Sequence, residues 1–210
     1  MARTSTTAHA LLGLLSLRPA WPTYALAQQL RRNMRFFWPR AESQIYGEVK
    51  ALVGRGWARS RQTFVGRRAR TSYTITPVGR RALTDWLATP PKPTALECEP
   101  LLRVFLADFA TPEQLQVAID QVRADADAIL DVGRVVASEY LAGTAPFQDQ
   151  VHVRALVFDF LSSHALMLRE WADRTEQATA SWPDAAPRTR ERTAKASIEA
   201  TRARYPDINM

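Results

Sequence analysis

At 210 residues the chain can hold a small module joined to a second packing unit, and its formal charge of +7 is divided in the same way. Residues 1–90 carry 15 Lys and Arg against Glu42, Glu48 and Asp85, whereas residues 91–180 carry 7 basic against 14 acidic side chains, so a polyanion is drawn to one end only. Composition argues against three classes: the opening has no convincing secretory signal, no apolar run approaches the roughly 18 to 20 residues of a membrane span, and the single Cys98 allows no intrachain disulfide, so a cytoplasmic protein with no membrane partner is expected.

In chain order, His9–Leu17 is expected to be a short helix burying Ala10, Leu11, Leu14 and Leu15. Pro19, Trp21 and Pro22 interrupt it, and Thr23 caps a second helix to about Met34 with Leu26, Ala27 and Leu30 inside. After Phe36, Phe37, Trp38 and Pro39, a third helix over 43–55 has an apolar stripe at Ile45, Val49, Leu52 and Val53. Its other face carries Gln44, Gly47, Lys50 and Ala51, small or hydrogen-bonding groups able to sit close to base edges.

Two strand segments, Trp57–Thr63 and Arg70–Thr76, follow around Gly66, with Arg67, Arg68 and Arg70 at the turn. Three helices and a basic hairpin make a winged helix, in which the third helix enters the major groove and the wing follows phosphates or the minor groove. The rings of Phe36, Phe37, Trp38, Trp57 and Tyr73 are read as packing residues, not base-stacking platforms.

These residues also resemble the PadR family of bacterial transcriptional regulators. The resemblance runs through AHALLGLLSLRP at 8–19, YALAQQLR at 24–31, FFWPRAESQIYGEVKALVGRGWA at 36–58 and SYTITPVGRRAL at 72–83. It implies a dimeric winged-helix regulator, commonly a repressor, whose recognition helix uses Ser43, Gln44, Tyr46, Gly47 and Lys50 and whose wing uses Arg67, Arg68 and Arg70. Ala41 and Glu42 depart from the family pattern just before that helix: alanine caps poorly, and Glu42 sets a negative charge near phosphates.

Leu83, Trp86 and Leu87 close a fourth helix, and the prolines at 90, 91 and 93 make 89–98 a stiff linker between a DNA-binding module over 1–88 and a helical domain over 99–182. Thr111, Pro112 and Gln114 form a helix start signal. Beyond it Leu115, Ile119, Val122, Ala126, Ile129, Gly133, Val136 and Tyr140 recur in steps of four and three. That is the spacing of a helix packed along a partner. A second long helix over 151–179 shows a broader apolar face with Val153, Val157 and Leu168, and the two helices are expected to form a homodimer. Phe105, Phe160, His164, Met167 and Trp171 are the residues expected around a small apolar or aromatic effector, although such side chains also fill cores and interfaces. From 183 onward the chain is a charged extension, in which 191–205 is expected either to extend as a helix or to stay mobile in the absence of DNA or a partner.

No nucleotide-binding loop, metal-ligand spacing or nucleophile-base pair is evident, so neither an enzyme nor a bound cofactor or metal is expected. The fold class is therefore mainly α: an N-terminal winged helix-turn-helix with a two-stranded wing, then a long-helix dimerisation domain. The function expected is a repressor binding a palindromic double-stranded DNA operator, the alternative being a winged-helix RNA-binding or protein-interaction module.

Overall fold

In the computed structural model, which describes residues 5–65, 68–182 and 187–204, the first helix is the centre of the N-terminal unit. Helix α1 (Thr6–Ser16) starts earlier than its apolar residues suggest, because the Ser5 hydroxyl accepts from the Ala8 amide at 3.0 Å and so caps a turn of polar residues. Ala8, Leu11, Leu12, Leu14 and Leu15 are all buried, so α1 is covered on nearly every side and not on one face alone. Helices α2 (Thr23–Met34), α3 (Glu42–Gly54) and α4 (Pro77–Leu87) pack around it, contributing Leu26, Ala27 and Leu30 and the Ile45, Val49 and Leu52 stripe.

The sheet has three strands where two were expected. Strand β1 (Trp21–Pro22) pairs antiparallel with β3 (Arg68–Ile75), which pairs in turn with β2 (Ala58–Val65), giving the order β1-β3-β2. Trp21 lies opposite Tyr73 and is fully buried, so the prolyl break between α1 and α2 also supplies an edge strand. The hairpin strands are longer than expected, with Val65 opposite Arg68 at the far end of the ladder.

The base of the hairpin is locked. The Thr76 hydroxyl donates to the Gly56 carbonyl at 2.7 Å and accepts from the Gly79 amide at 3.0 Å, which caps α4. The Thr76 amide donates to the Trp57 carbonyl at 3.0 Å, and a β-carbon on Gly79 would lie only 2.1 Å from that same oxygen. Only glycine fits there.

The C-terminal unit, Leu96–Met210, begins after a stretch without regular structure. It contains α5 (Glu99–Phe105), a 3-10 turn (Ala107–Phe109), α6 (Pro112–Leu141), α7 (Val151–Thr179) and α8 (Pro187–Ala203). Thr111 and Gln114 form the reciprocal cap at the start of α6: the Gln114 amide donates to the Thr111 hydroxyl at 3.3 Å and the Thr111 amide to the Gln114 side chain at 2.9 Å. Helices α6 and α7 are antiparallel, because Arg123 near the start of α6 meets Asp173 and Glu176 near the end of α7, at 3.1 and 2.6 Å, while Asp127 meets Arg169 at 3.4 Å.

Two expectations for this unit are corrected. Leu115, Ile119, Val122 and Ile129 were assigned to contact between copies, yet all four are buried within the single chain. Leu115, Ile119 and Val122 form a core with Ala172, against which Val104, Leu168 and Trp171 pack, so the four-three stripe is filled by the chain's own helices. Val136 is half-buried and Val157 is exposed. The apolar-run reading also missed that Gln148–Thr179 contains an 18-residue window of mean hydropathy 1.3, so by length and composition alone this helix could cross a membrane. Among the described residues no other helix does so.

Replacing Gly79 by alanine is expected to lower the unfolding free energy by about 1–3 kcal/mol or more, since the crowding atom is backbone. Thr76→Ala should cost about 0.5–2 kcal/mol through loss of the cap, with Thr76→Ser recovering most of it. Urea unfolding followed by tryptophan fluorescence measures both.

Candidate nucleic-acid interface

The apolar stripe of α3 fixes which side it presents. With Ile45, Val49 and Leu52 buried, Ser43, Gln44, Gly47 and Lys50 come out exposed together and Tyr46 is half-buried beside them. Nothing lies within 4 Å of where a Gly47 β-carbon would stand, so the fold itself does not require glycine there; its bareness leaves backbone open to close approach.

Ala41 is the N-cap of α3 and offers no side-chain hydrogen bond, as its residue type implies. Glu42, in the first turn, is held by Arg31 at 3.0 Å. The other carboxylate of this helix, Glu48, accepts from the Ser5 hydroxyl at 2.5 Å. Arg31 thus offsets the charge of Glu42, while Glu48 is held in place by a neutral hydroxyl.

The loop before α3 is pinned to the core by Trp38, whose indole N–H donates to the Thr7 hydroxyl at 3.2 Å, and the Arg40 guanidinium lies 4.3 Å above the same ring system. Packing holds for Trp38, Trp57 and Tyr73, which are half-buried or buried. It does not hold for Phe37, which is 45% exposed because the loop leaves the helix bundle at that point.

The hairpin register assigns the wing its faces. Ala58 and Ile75, opposite one another, are buried, so the alternate positions Arg59, Arg61 and Arg70 share the other face of the ladder. Arg59, Arg61 and Arg70 are exposed. Arg67 and the side chain of Arg68, both expected at the turn, lie outside what is described. Arg59 and Arg61 were missed from sequence; the signal was present in their alternation, which becomes readable only once the register is known.

His9 is a buried ionisable group inside this unit. Its ring stacks on Trp86 at 4.8 Å with an interplanar angle of 8°, lies 6.0 Å from Trp57, and has Nδ1 at 3.1 Å from the Ser5 carbonyl. Burial lowers its pKa from the ordinary 6.5; the Ser5 carbonyl opposes that shift, Arg55 adds to it and Glu48 opposes it.

Of the residues expected around an effector, Phe105, Phe160 and Met167 are exposed in the single chain. His164 is half-buried and parallel to Phe160, with ring centroids 6.4 Å apart, whereas Trp171 packs against the α6–α7 core. The five are thus split between open surface and core.

Helices α1 to α3, the hairpin β2–β3 and α4 make this unit a winged helix, with Ser43, Gln44, Gly47 and Lys50 exposed on α3 and Arg59, Arg61 and Arg70 exposed on the hairpin. Residues 11–85 match the Transcriptional regulator PadR-like family. The family is one of transcription regulators, not enzymes. No curated protein sequence matches the chain significantly. Among solved structures, Bacillus subtilis PadR in complex with operator DNA has a TM-score of 0.69 at 22% identity, covering 82% of this chain and 97% of that one. A PadR-like transcriptional regulator from Bacillus cereus has a TM-score of 0.70 at 16% identity, covering 84% and 99%. Bacillus subtilis PadR in complex with p-coumaric acid has a TM-score of 0.60 at 19% identity, covering 88% and 100%. These likenesses establish the fold.

Because the folded unit resists charging His9, its stability is complete above about pH 6.5 and falls as the pH drops below that value, where the unfolded chain takes up a proton the folded one disfavours. The urea midpoint of the wild type should therefore decrease from pH 7.5 to 5.5, and the decrease should be smaller in His9→Gln.

Proposed function

We propose that the protein is a homodimeric repressor that binds a palindromic DNA operator and is released by a small apolar or aromatic effector, acting as a cytoplasmic protein. The observation that carries the DNA part is the pairing of the Ser43, Gln44, Gly47 and Lys50 face with the Arg59, Arg61 and Arg70 ladder. Gln44 has the amide geometry to pair with adenine, and Lys50 reaches guanine or phosphate. Arg67 and Arg68 extend the same basic wing in sequence. Phosphate contacts from the wing would supply affinity and register, while α3 would supply sequence discrimination.

The dimer rests on α7. One side of this helix, including Ala165, Leu168 and Ala172, is turned to the core, while Val153, Leu156, Val157, Phe160 and Met167 stand exposed at 40–71%. A continuous apolar side of this size suits a second copy better than lipid, because Arg154, Asp159, Arg169, Glu170 and Arg174 interrupt the helix with charge. Two-fold pairing would set the readers on half-sites of opposite sense, which is why the operator is taken to be palindromic. The effector part rests on Phe160, His164 and Met167 lying within this same surface, and on the p-coumaric acid complex of the Bacillus subtilis protein.

Lys50→Ala and Gln44→Ala should reduce preference among duplexes, by about 1–3 kcal/mol for a lost bidentate contact. Gly47→Leu should abolish binding without lowering the urea midpoint, and Arg59→Ala with Arg61→Ala should weaken all duplexes together and flatten the salt dependence. Titration against selected genomic duplexes and mixed-sequence DNA measures this; equal affinity for every duplex, or preference for RNA, would overturn the operator reading.

Sedimentation equilibrium at micromolar concentration should give a dimer for the full chain and a monomer for Phe160→Glu, and a phenolic acid added to the operator complex should release DNA from the wild type. A wild-type monomer removes the dimer, and undiminished DNA binding across such compounds removes the effector.

A further inference from the structure

The C-terminal unit changes sign near its end. Residues 96–182 carry 6 basic against 14 acidic side chains, but residues 187–204 carry Arg188, Arg190, Arg192, Lys195, Arg202 and Arg204 against Glu191 and Glu199. Helix α8 buries no residue, and its one large apolar side chain, Ile198, is 64% exposed. A helix that buries nothing gains little from packing, so charge is the property it offers a partner.

That charge is ordered along the helix. Steps of four, three and seven set Arg188, Arg192, Lys195 and Arg202 along one side, with Glu199 among them. The opposite side carries Thr193, Ser197 and Thr201, flanked by Arg190 and Arg204 at its two ends. Lys195 is braced by Glu191 at 2.7 Å. At 1.5 Å per residue the four aligned cations extend over about 21 Å, the length of roughly six base pairs of duplex. The three solved structures described above are covered over 97–100% of their own length yet leave 12–18% of this chain uncovered, about 25–38 of 210 residues, so their likeness assigns no role to a segment of this size.

We propose that α8 is a second duplex contact, laying its basic side on the phosphate backbone and adding affinity without reading sequence. This rests on the proposed DNA binding of the winged-helix unit. The charge complementarity is specific to a polyanion, because the polar opposite side offers no apolar anchor for a protein groove or a lipid surface.

The test titrates the full chain and a variant carrying Arg188→Gln, Arg192→Gln, Lys195→Gln and Arg202→Gln against operator and mixed-sequence duplex, from about 50 to 200 mM salt. Glutamine keeps helix propensity while removing charge. Each phosphate contact contributes about 0.9 to the slope of log K against log salt, so the variant should be shallower by about two to four per chain. It should also bind both duplexes about tenfold or more weakly at low salt, with the operator-to-mixed ratio unchanged. Deletion of 187–210 should give at least the same shift, which covers the case in which the quadruple variant loses its helix. An unchanged slope in both variants, or tighter binding by either, overturns the proposal; tighter binding would mean that α8 competes with DNA for the protein. Should no duplex be preferred by the wild type, the operator reading fails, while the slope on mixed-sequence DNA still decides the role of α8.

Discussion

The carbonyl oxygen of Trp57 is the point on which the N-terminal unit depends. It accepts the Thr76 amide, and its position excludes any side chain at 79. The Trp57 amide in turn closes the end of α3 by donating to the Leu52 carbonyl at 2.9 Å. The backbone of this one residue therefore ties the end of α3 to the base of the hairpin and the start of α4. With those three ends fixed, the angle between the α3 face and the arginine ladder is set by backbone hydrogen bonds and steric exclusion, which exposed charged side chains could not enforce in water.

Around that joint the electrostatics are arranged by subtraction as much as by addition. The basic excess of the first ninety residues was plain in the composition, but Glu42 and Glu48 both lie on α3. Arg31 and the Ser5 hydroxyl occupy these carboxylates, so the departure from the family pattern at position 42 is accommodated by a neighbour on α2. His9 adds a dependence of another kind. It fills the space between Trp57 and Trp86 as a neutral ring, so the packing that supports the joint carries a sensitivity to acid.

Much of this was legible in the residues. The spacing of Ile45, Val49 and Leu52 identified α3 and its exposed side, and Thr111 with Gln114 located the start of α6 to the residue. What escaped has physical reasons. The two-residue strand at Trp21 has no periodicity to detect, and proline there read as a break. Ser5 extends α1 through a single hydrogen bond, which no apolar pattern records. Arg59 and Arg61 needed the strand register before they could be grouped with Arg70. The stripe on α6 shows the limit most clearly: a four-three repeat announces a seam, but a second helix of the same chain fills it as well as a second copy does. Helix α7 has two apolar sides, of which the chain itself covers one.

The arginines of β2 have a further consequence that has nothing to do with nucleic acid. In the order β1-β3-β2 one border of the sheet is β1, two residues long and ending in Pro22, which has no amide hydrogen to donate. The other border is the eight-residue β2, whose outer backbone groups would accept a strand from any passing chain. Arg59 and Arg61 set like charges along that border, so two such hairpins brought edge to edge repel one another. That repulsion opposes edge-to-edge pairing along β2.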